Sequence, residues 1–127
     1  DLYVVIKIEE NRLFQIKRND VICEVPITFT QAVLGGTVEV PTLQGKARLK
    51  IPAGTQGGAI LRMRGQGLPS FNAGRKGDQL VKVTVEIPGT VTQDQVVAVQ
   101  NLHETANSGA YPKHHAFADS LKRWCER

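Results

Sequence analysis

DQLVKVTVE, residues 78–86, is the stretch that decides the fold class. An aspartate precedes alternating β-branched residues and a glutamate ends the run, a pattern typical of a β-strand. DLYVVIKIE, residues 1–9, repeats this pattern. A repeat on this scale predicts two tandem β modules, with the last strand of one at residues 1–10 and a complete second copy at residues 11–90. We therefore interpret the chain as a piece of a longer protein.

The composition is that of a soluble globular domain. Of 127 residues, 41% are hydrophobic and 22% are charged, which excludes a disordered chain. No apolar run approaches the roughly 20 residues that span a bilayer, so no membrane partner is expected. The two cysteines, Cys23 and Cys125, are too few and too far apart for a disulfide framework. We predict two reduced thiols and a cytoplasmic location.

The first half of the second module is predicted to contain a strand followed by a short helix. One face of the strand is formed by alternating residues: Val21, Cys23, Val25 and Ile27. The period then changes, and residues 28–34 are predicted to form one or two helical turns that begin at a threonine and end at Gly35.

A β-hairpin is predicted next. Residues 37–42 and 46–51 alternate in polarity and are joined by a turn that ends on Gly45, which can adopt the positive φ that such turns need. Pro26 and Pro41 have no N–H to donate to a ladder, so we place both at strand ends or sheet edges. The hydrophobic core is predicted to comprise Ile27, Leu34, Leu49, Ile51, Leu61, Met63, Val83 and Val85.

Residues 91–127 are predicted to form a helical tail. Thr92 and Gln95 have the spacing of a capping box. A second helix is predicted from about His115 to Cys125, with its apolar face formed by Phe117, Leu121 and Trp124. Because a helix of this length is marginal alone in water, we expect that face to form a homodimer; the alternative is that the helix folds back on its own body.

No pattern in the chain indicates an enzyme or a metal site. The residues that could bind metal lack the paired spacing of zinc ligands: His103, His114, His115, Asp119 and Cys125. The acidic residues form no evident acid–base pair. The glycine-rich residues 52–58 lie between strands and lack the Gly-Lys-Ser/Thr of a phosphate loop. We expect no catalytic residue, no metal and no other cofactor.

The net charge of +4 is concentrated in one part of the chain. Between Glu39 and Asp78 there is no acidic residue, while seven basic residues occur there: Lys46, Arg48, Lys50, Arg62, Arg64, Arg75 and Lys76. Such a patch can attract nucleic acid, which makes a nucleic-acid-binding β module an alternative function. That function calls for aromatic residues among the basic ones, and only Phe71 lies there, so we expect no nucleic-acid partner.

Three stretches together carry a family resemblance: NDVICEVPITFTQAVLGG (residues 19–36), VPTLQG (40–45) and LRMRGQGLP (61–69). With Gly77-Asp78 and its strand, they resemble the second C-terminal β domain of DnaJ-type co-chaperones. Residues 1–8 look like the end of the first such domain. The resemblance covers residues 1–95 closely and the tail loosely.

The resemblance implies a small β-sandwich followed by a short dimerisation segment. It also implies binding of unfolded polypeptide and its delivery to a DnaK-type chaperone. The chain contains neither the His-Pro-Asp motif of a J domain nor the family's zinc-binding cysteine repeats, so zinc is expected only upstream in the parent protein.

An extended client would add as a strand beside Cys23, Val25, Val38 and Val40. Two alternatives remain: these four residues are only core, or the domain dimerises without binding clients itself.

Overall fold

The computed structural model describes residues 13–68 and 76–126. The strand predicted at residues 1–10 lies outside these ranges. The chain divides into two compact units, one ending at Pro88 and the other beginning at Gly89. In the described ranges the first unit contains two β-sheets and a short helix, and the second contains two helices. This confirms the prediction of a mainly β fold with an internal helix and a helical tail.

Strands β1 (Phe14–Lys17), β2 (Asp20–Thr28), β5 (Ile60–Met63) and β6 (Gln79–Glu86) form one sheet in the order β1-β2-β6-β5. The central strands β2 and β6 are parallel, whereas β1 and β5 each pair antiparallel with their neighbour. Pro26 lies within β2, beyond the residues that pair with β1, so in the described register its missing N–H breaks no bond to that neighbour.

Strands β3 (Gly36–Thr42) and β4 (Gly45–Ile51) form the second sheet, as the hairpin pattern predicted. Thr42 lies opposite Gly45, and Gly45 has a φ of 138°, which a side chain would disfavour.

The two sheets and the internal helix share one apolar core. Its buried members are Cys23, Ile27, Ala32, Val40, Ile51, Val81 and Val83. Of the predicted core, Ile27, Ile51 and Val83 are buried. Four others are partly buried against the same cluster: Leu49, Leu61, Met63 and Val85. A shared core between two sheets is the arrangement of a β-sandwich.

Helix α1 (Phe29–Leu34) begins and ends where the sequence predicts. Thr28 and Gln31 form a capping box, and the N–H of Gly35 donates to the Gln31 carbonyl. The prediction that Leu34 belongs to the core was wrong, because its side chain is 77% exposed. Ala32 is the buried residue of the helix. Two residues of a helix that are two positions apart lie about 200° apart around its axis, so Leu34 faces solvent.

A close backbone junction holds the start of β2 against the start of β6. The Gly67 N–H donates to the Gly77 carbonyl, and the Leu68 N–H donates to the Asn19 carbonyl, each at 2.8 Å. A Cβ on Gly77 would overlap the Asn19 backbone. The Asp78 carboxylate accepts from the Gly65 N–H. Gly67 and Gly77 are therefore required for close approach of backbone to backbone, whereas Gly65 has open space around it and a positive φ of 72°.

The second unit contains α2 (Gln93–Thr105) and α3 (Pro112–Cys125). The capping box of Thr92 and Gln95 is present as predicted. Helix α3 begins three residues before the predicted start, because Pro112 occupies its first turn, where the fixed φ of proline suits a helix. No described helix is long and apolar enough to cross a membrane.

Candidate functional site

Gln79 joins the two sheets from inside the core. Its side chain is fully buried, and its Nε2 donates to the carbonyl oxygen of Pro41 at 2.6 Å and to the Sγ of Cys23 at 3.4 Å. Because only the NH2 end of the amide can donate, the Pro41 carbonyl fixes the amide's orientation. Its Oε1 has no hydrogen-bond partner among the described residues. A buried acceptor without a partner costs about 1–3 kcal/mol, so apolar burial alone does not account for glutamine at this position.

The Pro41 contact shows which backbone groups of β3 face away from β4. In an antiparallel pair, hydrogen-bonded and non-bonded residue pairs alternate, and the N–H and C=O of one residue point to the same side. Pro41 has no N–H and its carbonyl meets Gln79 instead of β4, so Pro41 and Lys46 are a non-bonded pair. By alternation, Glu39 and Thr37 also point their backbone groups away from β4.

The free edge of β3, defined as the outward N–H and C=O groups of Thr37 and Glu39, is a place where a strand can be added. Among the described strands, β3 pairs with β4 alone. No backbone hydrogen bond outside the ladder involves Thr37 or Glu39 in the described ranges. Unpaired backbone groups along a strand form a template for another extended chain.

The opposite edge, on β4, carries a different set of side chains. Alternation assigns its outward backbone groups to the residues that face Pro41, Glu39 and Thr37: Lys46, Arg48 and Lys50. All three side chains are exposed. Lysine on an edge strand discourages pairing with other chains. The β3 edge is therefore the better candidate for strand addition.

The structure places the four predicted peptide-site residues at two depths. Cys23 and Val40 are 2% and 1% exposed, so their side chains belong to the core. Val25 and Val38 are half-buried and pack against that core, one from each of the two sheets. Val38 lies between Thr37 and Glu39 on β3, so it is the apolar side chain that borders the free edge. Binding of a client by these residues stays a prediction. Of the four, Val25 and Val38 are the two whose side chains are partly accessible to solvent.

The two cysteines are free thiols, as predicted. Burial raises the pKa of the Cys23 thiol, and the hydrogen bond from Gln79 offsets part of that rise. Cys23 is thus held in the neutral thiol form, which is a poor nucleophile. Among the described side chains, no group of three or more His, Cys, Asp or Glu could hold a metal ion.

Ion pairs divide the basic stretch. Lys46 lies 3.0 Å from Glu39, and Arg62 pairs with the carboxylate of Asp78. The second of these pairs belongs to the junction between Gly65 and Asp78 and has a structural role there. Arg75 lies outside the described residues. The described part of this stretch therefore is not a uniform array of cations for binding nucleic acid.

Helices α2 and α3 contain no buried residue. Of the three predicted dimerisation residues, Phe117 is 67% exposed, Leu121 is 51% exposed and Trp124 is 63% exposed. Their spacing of four and three positions puts them on one face of α3. The structure thus leaves a face of apolar side chains at the surface of this unit.

Comparison with known proteins decides the family. The model of the DnaJ C terminal domain matches residues 1–88. The chain belongs to the DnaJ family. The chaperone protein DnaJ of Opitutus terrae is 46% identical over 124 residues, which are 98% of this chain and 32% of that protein. The chaperone proteins DnaJ of Ruminiclostridium cellulolyticum and Acetivibrio thermocellus are 41% and 38% identical over 122 residues.

This chain thus spans about a third of the DnaJ proteins that it matches and corresponds to their C-terminal region. The family is a non-enzymatic one that acts in protein folding, which confirms the prediction that the chain is not an enzyme.

Three residues of the candidate site were missed in the sequence: Thr37, Glu39 and Gln79. A signal for the first two was present, because Pro41 cannot donate and alternation extends its outward orientation to Glu39 and Thr37. No local pattern identifies Gln79, since its partners lie 38 and 56 positions away.

Proposed function

We propose that this chain binds extended segments of non-native polypeptide and holds them as an added strand on the free edge of β3. The observation that carries the proposal is this edge, with two outward N–H and two outward C=O groups and with Val38 half-buried beside it. Backbone hydrogen bonds tolerate many client sequences, and an apolar contact adds a preference. Membership in the DnaJ family supports the same function.

We also propose that the chain forms a homodimer through the α3 face of Phe117, Leu121 and Trp124. Aromatic side chains provide much of the binding energy where an interface is small. Two client-binding domains joined in one dimer would bind a single unfolded client with avidity.

In the parent protein, a dimer of this kind would deliver its clients to a DnaK-type chaperone, and the chain itself would need neither ATP nor a metal. The expected cytoplasmic location stays a prediction, as does the absence of a cofactor from this part of the protein.

Suppression of aggregation tests the proposal. Chemically unfolded citrate synthase is diluted into buffer without ATP, and light scattering is followed with and without the chain. We expect scattering to rise more slowly as the chain approaches equimolar concentration. A chain that is dimeric but leaves the scattering curve unchanged would be a dimerisation module without client binding.

A further inference from the structure

We propose that Gln79 limits the length and fixes the register of the bound client strand. This inference rests on the proposed addition of a strand at the free edge of β3. The Nε2 of Gln79 occupies the Pro41 carbonyl, which would otherwise be the next acceptor along that edge. An added strand therefore bonds with Thr37 and Glu39 and ends before Pro41.

The hydrogen bonds of the amide support this role. Both hydrogens of Nε2 have acceptors, the Pro41 carbonyl and the Cys23 sulfur, so the amide cannot turn to release the carbonyl without losing both bonds. Its Oε1 has no partner among the described residues. Methionine or leucine would fill a similar volume without the unsatisfied Oε1, but would leave the Pro41 carbonyl without its donor. The feature that glutamine alone supplies here is the donor that blocks Pro41.

The two remaining carbonyls determine how much of a client is recognised. One client N–H can donate to the carbonyl of Thr37 and one to that of Glu39, because each outward carbonyl faces one residue of an added strand. The client residue between these two lies opposite Val38 and points toward the apolar side of the sheet. The site would thus recognise one apolar client side chain, flanked by two client side chains that point to the opposite, solvent-exposed face of the sheet.

Charge favours an acidic residue at one of the outward positions. The client residue opposite Thr37 lies on the face that carries Arg48 and Lys50 on β4, for which the described residues supply no ion-pair partner, and its diagonal neighbour Glu39 is already paired with Lys46. Opposite Glu39, an acidic residue would meet a like charge. The occupant we infer is an extended polypeptide segment with an apolar residue next to an acidic one.

An N-methyl scan tests the inference. The probe is a short fluorescent peptide of serine and threonine with one central leucine next to one glutamate. Each backbone amide is methylated in turn, and the affinity is measured by fluorescence anisotropy for the unaltered chain, for Gln79→Met and Gln79→Leu, and for the surface control Gln15→Met. Circular dichroism confirms that each variant is folded.

For the unaltered chain and Gln15→Met, we expect methylation at two amides to weaken binding about tenfold, the effect of roughly one lost hydrogen bond and the added methyl group. For Gln79→Met and Gln79→Leu, we expect a third sensitive amide, because the Pro41 carbonyl is released. Three sensitive amides in the unaltered chain, or two in both Gln79 variants, would overturn the inference while leaving strand addition intact. Absent binding, or binding that no methyl group weakens, would overturn both the strand addition and the inference.

Discussion

Gln79 and Pro41 connect the two sheets of the sandwich through one hydrogen bond, 2.6 Å from Nε2 to the carbonyl oxygen. Gln79 begins the central strand β6, and Pro41 lies next to the end of β3. The bond therefore ties the middle of one sheet to the edge of the other. The outward carbonyl of Pro41 is thus already hydrogen-bonded. The outward groups of Thr37 and Glu39, on the same strand, face no described strand.

Substitutions of Gln79 should separate its volume from its hydrogen bond. Gln79→Ala leaves a cavity at a fully buried position and should lower the free energy of unfolding by about 2–4 kcal/mol. Gln79→Met keeps most of the volume, and the removal of the unsatisfied Oε1 offsets the loss of the hydrogen bond to Pro41, so its effect should stay within about 1 kcal/mol. Urea unfolding followed by circular dichroism gives both values, and equal losses would show that the amide bond itself holds the sheets together.

Gly77 should not tolerate a side chain. A Cβ there would overlap the carbonyl oxygen and carbon of Asn19, which are backbone atoms that cannot turn aside. We expect Gly77→Ala to lower the free energy of unfolding by about 2 kcal/mol or more. The matched control is Gly89→Ala, where nothing lies within 4 Å of the added Cβ and the change should be within about 0.5 kcal/mol. Similar thermal midpoints for the two variants would contradict this account of the junction.

Local patterns in the sequence were sufficient for several elements. Thr28 and Gln31 bond to each other within one helical turn, and Gly45 closes the hairpin opposite Thr42, so neighbours in sequence contain the needed information. The parallel pairing of β2 with β6 could not be predicted from neighbouring residues, because Val21 pairs with Gln79, which is 58 positions away. Such a pairing depends on the packing of the whole domain.

A contact between distant parts of the chain also explains why Leu34 was wrongly predicted to lie in the core. In a helix of six residues, too few apolar positions occur to define which side is buried. The loop that follows β4 determines which side of the helix is buried, because the N–H groups of Gly54 and Thr55 donate to the carbonyl of Ala32. The sequence pattern alone contains no trace of that contact.

Asp78 should make the free energy of unfolding depend on pH in the acidic range. The hydrogen bond from the Gly65 N–H, followed by that from Arg62, lowers the pKa of the Asp78 carboxyl in the folded chain. Because the folded pKa lies below the unfolded one, the stabilisation is complete above the ordinary carboxyl pKa of about 4 and is lost as pH falls through the folded value.

Urea midpoints of the unaltered chain and of Asp78→Asn, measured from neutral pH down to pH 3, test this. The variant should be the less stable of the two at neutral pH, and the difference should shrink below about pH 4. Parallel curves over the whole range would assign the acid sensitivity to other groups.

Removal of α3 should abolish the proposed dimer. The Phe117, Leu121 and Trp124 face lies within residues 110–127, and the β-sandwich shares no residue with that segment. We expect light scattering to show a dimer for the intact chain at tens of micromolar and a folded monomer for the chain that lacks residues 110–127. An intact chain that is monomeric at this concentration would indicate that α3 does not form a homodimer, and a truncated chain that is still dimeric would place the interface elsewhere.

Binding of an unfolded client to Glu39→Pro and Arg48→Pro tests the central claim most directly. These two residues lie opposite each other in the hairpin as a non-bonded pair, so proline removes an outward N–H from the β3 edge in one variant and from the β4 edge in the other, and breaks no backbone hydrogen bond between the strands. Glu39→Pro also removes the exposed ion pair with Lys46, so circular dichroism of both variants confirms that each is folded. The client is reduced, carboxymethylated α-lactalbumin, and the affinity is measured by fluorescence anisotropy.

We expect Glu39→Pro to bind at least about tenfold more weakly than the unaltered chain, and Arg48→Pro to bind within about twofold of it, since only the first edge accepts the client. If Glu39→Pro is folded and binds as well as the unaltered chain, or if Arg48→Pro alone loses binding, the client does not add to β3.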